Sequence, residues 1–377
     1  MPLLPDRGRG RSESRRLVDL RRRVEAGTDD ARTVLELVLA LWDEGHRDQA
    51  LRACCALAGR GDLPPDVCES AAIFLFERRE LGLARECFER LSAQRPERAL
   101  PHCYLGRIVE RLGDLPAAIA AHERSLALEP RNAECHYRYG VTLARHERRE
   151  AAEQCYLRAI ALDPGHAKSY TNLGCLLDLR GKGAQAMELF RRALQCDPTS
   201  AEAHFNLGAL YGERGSHERA IREFESAIRI DPESVEAHLN LGLALYAVRD
   251  FDGALGALKK VLKLDPAHAT AHYYVGLVYC RMGVYAKALK ILQQALRADS
   301  ENPATLYYIG LCYNRLNEPA KAIAPLKRVT ELAPEDPRAF YYLGVAYDRA
   351  GMAEEARASY RAADSRDDGS GRLRATT

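Results

Sequence analysis

The chain has 377 residues, and its 55 lysines and arginines nearly balance its 53 aspartates and glutamates, which leaves a formal net charge of +2. This balance argues against a dedicated nucleic-acid-binding protein, because such proteins usually carry a clear basic excess. Apolar residues make up 47% of the sequence, but no apolar run approaches the roughly 18 residues that a membrane-spanning helix needs. We therefore expect a globular, cytoplasmic protein that binds no nucleic acid and does not insert into a membrane.

The first predicted element is a basic N-terminal lead, residues 1–30, which contains one short capping helix. Leu17, Leu20 and Val24 lie on one face of this helix and can cover the apolar helix that follows it. Residues 1–10 are rich in Pro, Gly and Arg, and we expect them to be disordered.

A spacing of 34 residues organises the rest of the chain. Prolines follow it at Pro96, Pro130, Pro164, Pro198, Pro232 and Pro266. Glycines follow it at Gly106, Gly140, Gly174, Gly208, Gly242, Gly276, Gly310 and Gly344. We therefore predict two degenerate repeats in residues 31–98, eight well-formed repeats in residues 99–370 and a disordered tail in residues 371–377.

Each repeat is predicted to form two helices, A and B. Apolar residues recur at three- and four-residue steps on both sides of a glycine such as Gly181, which accepts the left-handed conformation that ends helix A. Helix B ends before Asp-Pro pairs such as Asp231-Pro232, because proline cannot continue a helix.

One repeat shows the shared pattern completely, with Leu207, Gly208 and Tyr211 in helix A and Ala220, Phe224, Ala227 and Pro232 afterwards. This pattern resembles the tetratricopeptide repeat over about nine tenths of the chain. The resemblance implies an all-α fold, a right-handed α–α superhelix of about ten helix pairs. It also implies that helix A lines a concave surface, with its sixth and thirteenth positions among those that face the groove.

The histidines and cysteines do not form a recognisable metal motif. Five histidines share the fourth position of helix A, namely His102, His136, His204, His238 and His272. Equivalent side chains in adjacent repeats lie roughly 8–10 Å apart, whereas zinc ligands lie about 2 Å from one ion. The eleven cysteines include no CxxC pair and no zinc-ligand spacing. We therefore predict no catalytic residues, no metal site and no cofactor, and we expect the protein not to be an enzyme.

Three consecutive repeats place asparagine at the sixth position of helix A, as Asn172, Asn206 and Asn240. A primary amide can pair with both the N–H and the C=O of a peptide unit. Successive A helices are spaced like every third residue of an extended chain. This series is similar to the asparagine ladder lining the repeat domain of O-linked N-acetylglucosamine transferase, although asparagine is also common at this position of the repeat. The spacing predicts contacts with a bound peptide backbone.

Tyrosine and arginine occupy the corresponding positions of the last three repeats. The tyrosines at the sixth position are Tyr274, Tyr308 and Tyr342, and the arginines at the thirteenth are Arg281, Arg315 and Arg349. Both residue types are enriched at binding hot spots. The neighbouring tyrosines at the fifth position face either the groove or the adjacent repeat. The pattern favours a partner segment with acidic or aromatic side chains.

The function that these features favour is a non-catalytic scaffold that binds an extended protein or peptide segment in its concave groove. Two alternatives stay open. The chain can be a substrate-recruiting or regulatory subunit of an enzyme such as a protein glycosyltransferase, or a structural protein that assembles with itself into a homo-oligomer.

Overall fold

The computed structural model describes residues 14–26 and 30–366, so the predicted disordered segments 1–10 and 371–377 lie outside it. Within these residues the chain forms 21 helices and no strands. The helices are α1 Arg15–Glu25, α2 Ala31–Asp43, α3 Arg47–Ala58, α4 Pro65–Glu77, α5 Leu81–Gln94, α6 Ala99–Arg111, α7 Leu115–Leu128, α8 Ala133–Arg145, α9 Arg149–Leu162, α10 Ala167–Leu179, α11 Gly183–Cys196, α12 Ala201–Glu213, α13 His217–Ile230, α14 Val235–Ala247, α15 Phe251–Leu264, α16 Ala269–Arg281, α17 Tyr285–Ala298, α18 Pro303–Arg315, α19 Pro319–Leu332, α20 Pro337–Arg349 and α21 Ala353–Asp364.

The helices divide into two compact units, one ending at Cys196 and the other beginning at Asp197. In the first unit α1 precedes five helix pairs, α2/α3 to α10/α11, and the second unit consists of the five pairs α12/α13 to α20/α21. The predicted all-α class of tandem helix pairs is thereby confirmed. The predicted division into segments 1–30, 31–98, 99–370 and 371–377 stays a prediction.

The helix α1 contributes to the core of the first unit. Its Leu17 and Leu20 are buried in the same apolar cluster as Val34, Leu37 and Leu41 of α2. An amphipathic helix with this spacing of leucines presents one apolar stripe, and α2 supplies the surface that covers it.

The two helices of a pair approach closely because helix A carries a glycine where helix B presents a bulky side chain. A Cβ placed on Gly208 would lie 2.8 Å from Cε1 of Phe224, and one placed on Gly140 would lie 2.7 Å from Cε1 of Tyr156. The alanines that repeat in helix B, such as Ala220, are also fully buried. The recurring glycines of helix A and alanines of helix B therefore mark the contact between the two helices of a pair.

Each of the ten pairs joins its two helices through one residue with a left-handed backbone. Six of these residues are glycines, and one is Asn317. The remaining three are Arg79, Glu147 and Arg249, with φ of 67°, 60° and 64°. A side chain makes this conformation unfavourable, so these three turns are held by the packing of the helices they join.

We expect the substitution Arg249→Gly to raise the free energy of unfolding by about 0.5–1 kcal/mol, because glycine adopts a positive φ without steric cost. Arg249 is exposed, so little side-chain packing is lost. Urea-induced unfolding followed by circular dichroism measures the change.

Gly283→Arg is the matched control, since φ at Gly283 is +75° and no atom lies within 4 Å of a Cβ placed there. This variant should lose about 1 kcal/mol. Equal stability of both variants and the parent chain would show that these turns do not require a left-handed residue.

Candidate functional site

The three asparagines of the predicted ladder lie at equivalent places on their own helices, and all three are half-buried. Asn172 is on α10 in the first unit, whereas Asn206 and Asn240 are on α12 and α14 in the second. The Asn172 amide donates to Tyr156 Oη at 3.4 Å, and the Asn240 amide donates to the carbonyl oxygen of Glu236 at 2.9 Å. Among the described residues nothing donates to the side-chain oxygen of Asn172 or of Asn240, so both can accept from a ligand.

Asn240 also lines a cavity of about 240 Å³ in the second unit. Phe224 of α13 and Leu243 of α14 form part of its apolar wall, and Glu213 and His217 add polar groups. A shallow apolar cavity bordered by an amide is suited to one side chain of a bound peptide.

Eight tyrosines of the second unit form one continuous series of ring contacts. Successive ring centroids lie 5.2–6.2 Å apart, mostly in edge-to-face geometry. In order of contact, the series is Tyr246, Tyr274, Tyr273, Tyr308, Tyr307, Tyr342, Tyr341 and Tyr360. The contacts fix the rings against one another, which lowers the conformational entropy that binding would cost.

The predicted tyrosines differ in their exposure. Tyr274 and Tyr308 are half-buried, whereas Tyr342 is 6% exposed and packs against Tyr307 and Tyr341. Tyr342 therefore packs beneath the more exposed tyrosines and offers little of its own ring to a partner. The fifth-position tyrosines also divide, because Tyr307 is buried and Tyr273 and Tyr341 are only half-buried.

A cavity of about 310 Å³ opens beside Tyr307 and Tyr308. Asp336 and Arg338 line it as well, and the Arg338 guanidinium lies 5.5 Å from the centroid of the Tyr307 ring. Burial raises the pKa of Tyr307 above its ordinary value, so its hydroxyl stays a donor. This hydroxyl is buried and has no hydrogen-bond partner among the described residues.

Tyr273 joins this cavity to a second one of about 370 Å³, which it lines together with Tyr274, Asp299 and Asn302. Two neighbouring cavities that share an aromatic wall can hold two side chains of one extended segment. Sequence reasoning did not single out Tyr246, Asp336 or Arg338. Tyr246 and Arg338 are identified by their contacts with tyrosines of the neighbouring repeat, and Asp336 by its ion pair with Arg338 in the cavity wall.

The three predicted arginines have different surroundings. Arg281 donates from Nε to Tyr246 Oη at 3.2 Å, and this hydrogen bond raises the pKa of the guanidinium. Arg349 donates from Nη1 to the carbonyl oxygen of Asn314 at 2.6 Å, and the Asn314 amide donates in turn to the carbonyl oxygen of Tyr342. Arg315 is exposed. Arg349 is therefore part of the fold, whereas Arg315 is available to a partner.

Across residues 14–26 and 30–366, none of the helices is both long enough and apolar enough to cross a lipid bilayer.

Family comparisons agree with the repeat architecture. The model described as "Cilia and flagella-associated protein 70 C-terminal domain" matches residues 170–376, and the model of the middle TPR-like domain of that protein matches residues 104–184. A tetratricopeptide-repeat model matches residues 70–133. No curated protein matches the sequence.

Several solved structures resemble the chain. The C-terminal part of a TPR repeat-containing protein from Cytophaga hutchinsonii is 17% identical, with a TM-score of 0.51 over 64% of this chain and 99% of that one. YrrB, described as "a TPR protein with an unusual peptide-binding site", is 22% identical over 50% of this chain and 96% of its own, with a TM-score of 0.46. MamA from Desulfovibrio magneticus RS-1 is 26% identical over 45% of this chain and 96% of its own, with a TM-score of 0.43. The Cytophaga structure shows that the two chains share the fold of tandem helix pairs.

We expect Arg349→Ala to lower the free energy of unfolding by about 1 kcal/mol, because it removes the hydrogen bond to Asn314. Arg315→Ala should change it by less than about 0.5 kcal/mol, as is usual for exposed positions. Thermal and urea unfolding of the two variants measure the difference. Equal free energies of unfolding for the two variants would show that the hydrogen bond of Arg349 does not stabilise the fold.

Proposed function

Because the chain belongs to the family of the cilia and flagella-associated protein 70 C-terminal domain, which is built of tetratricopeptide repeats, we propose that it is a non-catalytic scaffold that binds an extended segment of a partner protein. Tetratricopeptide repeats generally mediate protein–protein interaction, and stacked repeats offer the long surfaces that such segments need. The description of the family associates its members with cilia and flagella, so partner candidates are first sought there.

The observation that carries this proposal is the pair of cavities along the tyrosine series of the second unit. They share the aromatic wall of Tyr273, and Arg338, which is paired with Asp336 at 2.9 Å, places a guanidinium beside the Tyr307 ring. Rigid tyrosines supply contact area at low entropic cost, and arginine recognises carboxylates and aromatic faces. The surface therefore suits acidic or aromatic side chains of a partner.

The asparagines add recognition that does not depend on the partner's sequence. Asn240 keeps an amide oxygen free beside a cavity, and Asn206 occupies the equivalent place one repeat earlier. We propose that both pair with a bound backbone, as in the asparagine ladder of O-linked N-acetylglucosamine transferase. Asn172 has the same role within the first unit.

The partner's charge is the third part of the proposal. Arg281 and Arg315 are exposed at the thirteenth position of α16 and α18, and we propose that they attract an acidic segment. Arg349 contributes less directly, since its guanidinium is already bound to the fold. The cytoplasmic location expected from the sequence is retained as part of this proposal.

We expect phage-displayed 12-residue peptides to identify binders of the full chain that are rich in acidic or aromatic residues.

In the double variant Asn206→Ala and Asn240→Ala, each hydrogen bond lost to the selected peptide should cost about 0.5–1.5 kcal/mol of binding free energy. Together they should weaken the selected peptide roughly 5- to 150-fold. Fluorescence anisotropy measures the affinity, and circular dichroism shows that the fold is retained.

Failure to enrich any peptide would contradict the proposed binding of an extended segment. An unchanged affinity in the double variant would contradict the proposed pairing of the asparagines with the peptide backbone. A partner captured through a folded domain, or self-association alone, would favour one of the two alternative functions.

We expect Arg281→Ala with Arg315→Ala to weaken an acidic peptide strongly at low salt and only slightly at high salt, because exposed charges are screened. Lys259→Ala with Lys263→Ala on α15 is the matched control, since it removes the same charge from exposed helix-B positions. Equal losses in the two double variants would mean that net charge, and not the thirteenth position, attracts the peptide.

A further inference from the structure

The junction between the repeats that begin at Ala99 and Ala133 differs from every other junction of the well-formed repeats. His122 replaces the bulky apolar residue that packs on the helix-A glycine, which is Tyr156, Phe190 or Leu258 elsewhere. At two further core positions, Ser125 and Thr142 stand where the other repeats carry apolar residues. All three side chains are buried, with exposures of 0%, 1% and 0%. Three polar groups at one junction indicate a shared function for them, because a buried polar group without a partner is costly.

Two cysteines approach the histidine at this junction. Cys103 is on α6, His122 on α7 and Cys135 on α8, and the two sulfur atoms and a ring nitrogen of His122 all lie within 4.8 Å of one another. Sulfur and nitrogen ligands around one zinc ion are about 3.6–3.8 Å apart, as follows from bond lengths near 2.3 and 2.0 Å in a tetrahedron. Small side-chain adjustments therefore suffice to bring the three atoms around one ion.

Thr142 determines which nitrogen of His122 carries the proton. Its hydroxyl contacts Glu110 Oε2 at 2.7 Å and the carbonyl oxygen of Arg138 at 3.2 Å, and both of these oxygens can only accept. The Thr142 oxygen, which lies 3.2 Å from His122 Nε2, must then accept from that nitrogen. The neutral imidazole is thus protonated at Nε2 and has its lone pair at Nδ1.

His122 Nδ1 is fully buried and has no hydrogen-bond partner among the described residues. The relay from Glu110 through Thr142 to Nε2 is the arrangement that orients metal-binding histidines and makes them more basic. Arg145 completes it with an ion pair to Glu110 at 2.8 Å. The junction therefore holds an oriented imidazole whose free lone pair has no ligand within the protein.

The chemistry of the two thiols also suits a cation. Two thiolates carry two negative charges, and a zinc dication would compensate both. Cys103 is only half-buried, which gives an ion a route from solvent.

We propose that Cys103 Sγ, Cys135 Sγ and His122 Nδ1 bind one zinc ion. Two thiolates and an imidazole are the ligands that zinc prefers, and the three protein ligands leave the fourth tetrahedral position to a water molecule. The ion joins α6, α7 and α8, so it links two consecutive repeats of the first unit. Zinc binding would stabilise this junction in place of the apolar contacts that the other junctions have.

The test is the zinc content of the full chain, produced without a histidine tag, kept reduced and dialysed in metal-free buffer. We expect one zinc per chain by mass spectrometry and thiolate-to-metal absorption when Co²⁺ replaces it.

His122→Phe should abolish binding and still fold, since Phe190 and Phe224 occupy the same place in other repeats. Cys135→Ala should do the same, because Ala203 and Ala237 are its equivalents. Thr142→Val, which removes only the relay, should weaken zinc by about 10- to 100-fold in a chelator competition.

The matched control is Cys280→Ala with Cys312→Ala, which removes another buried pair, with sulfur atoms 3.3 Å apart. It should retain one zinc, and zinc should raise the melting temperature of the parent chain and of this control but not of His122→Phe. Absence of zinc from the reduced parent chain overturns the proposal. Zinc that persists in His122→Phe and Cys135→Ala also overturns it, since the ion would then be bound elsewhere.

Discussion

The fold depends on one contact that recurs in every well-formed repeat, between a glycine of helix A and the side chain sixteen residues later in helix B. Gly208 admits the ring of Phe224, Gly242 admits Leu258, and Gly106 admits the imidazole of His122. Any side chain at the glycine would overlap its partner, so the glycine is fixed while the partner varies. The chemical nature of each junction therefore depends on the residue that faces the glycine.

Most of the fold could be predicted because this contact imposes one spacing on the whole sequence. The helix pairs, their glycine turns and the ends of helix B at Asp-Pro follow from residue types that have few other uses. The turns at Arg79, Glu147 and Arg249 could not be read from composition, since nothing in an arginine or glutamate indicates a positive φ. Their conformation follows from their position in the repeat, because the packing of the two helices imposes a positive φ on any residue at that position.

The candidate site was less predictable, because its side chains are arranged by contacts between repeats. Sequence position alone treats Arg281, Arg315 and Arg349 as equivalent. Arg349 nevertheless reaches the carbonyl oxygen of Asn314, 35 residues earlier, and the Asn314 amide reaches Tyr342. Likewise, fifth- and sixth-position tyrosines join into one series of rings, so burial depends on the neighbouring repeat more than on the position. A repeat pattern predicts which positions can face a ligand, and the side chains of the next repeat decide which of them do.

The junction around His122 shows how departures from a repeat can be more informative than the repeat itself. Its ligand candidates are 19 and 13 residues apart on three helices, so no short motif connects them. Comparison within the chain does reveal the place of the site, because His122, Ser125 and Thr142 replace apolar residues at the same junction. Exchanging apolar packing for polar contacts weakens one junction, but a solenoid confines the loss, since each repeat contacts only its neighbours. The remaining junctions of the first unit keep their apolar contacts and maintain its stability. The junction around His122 can therefore carry polar side chains that bind a ligand.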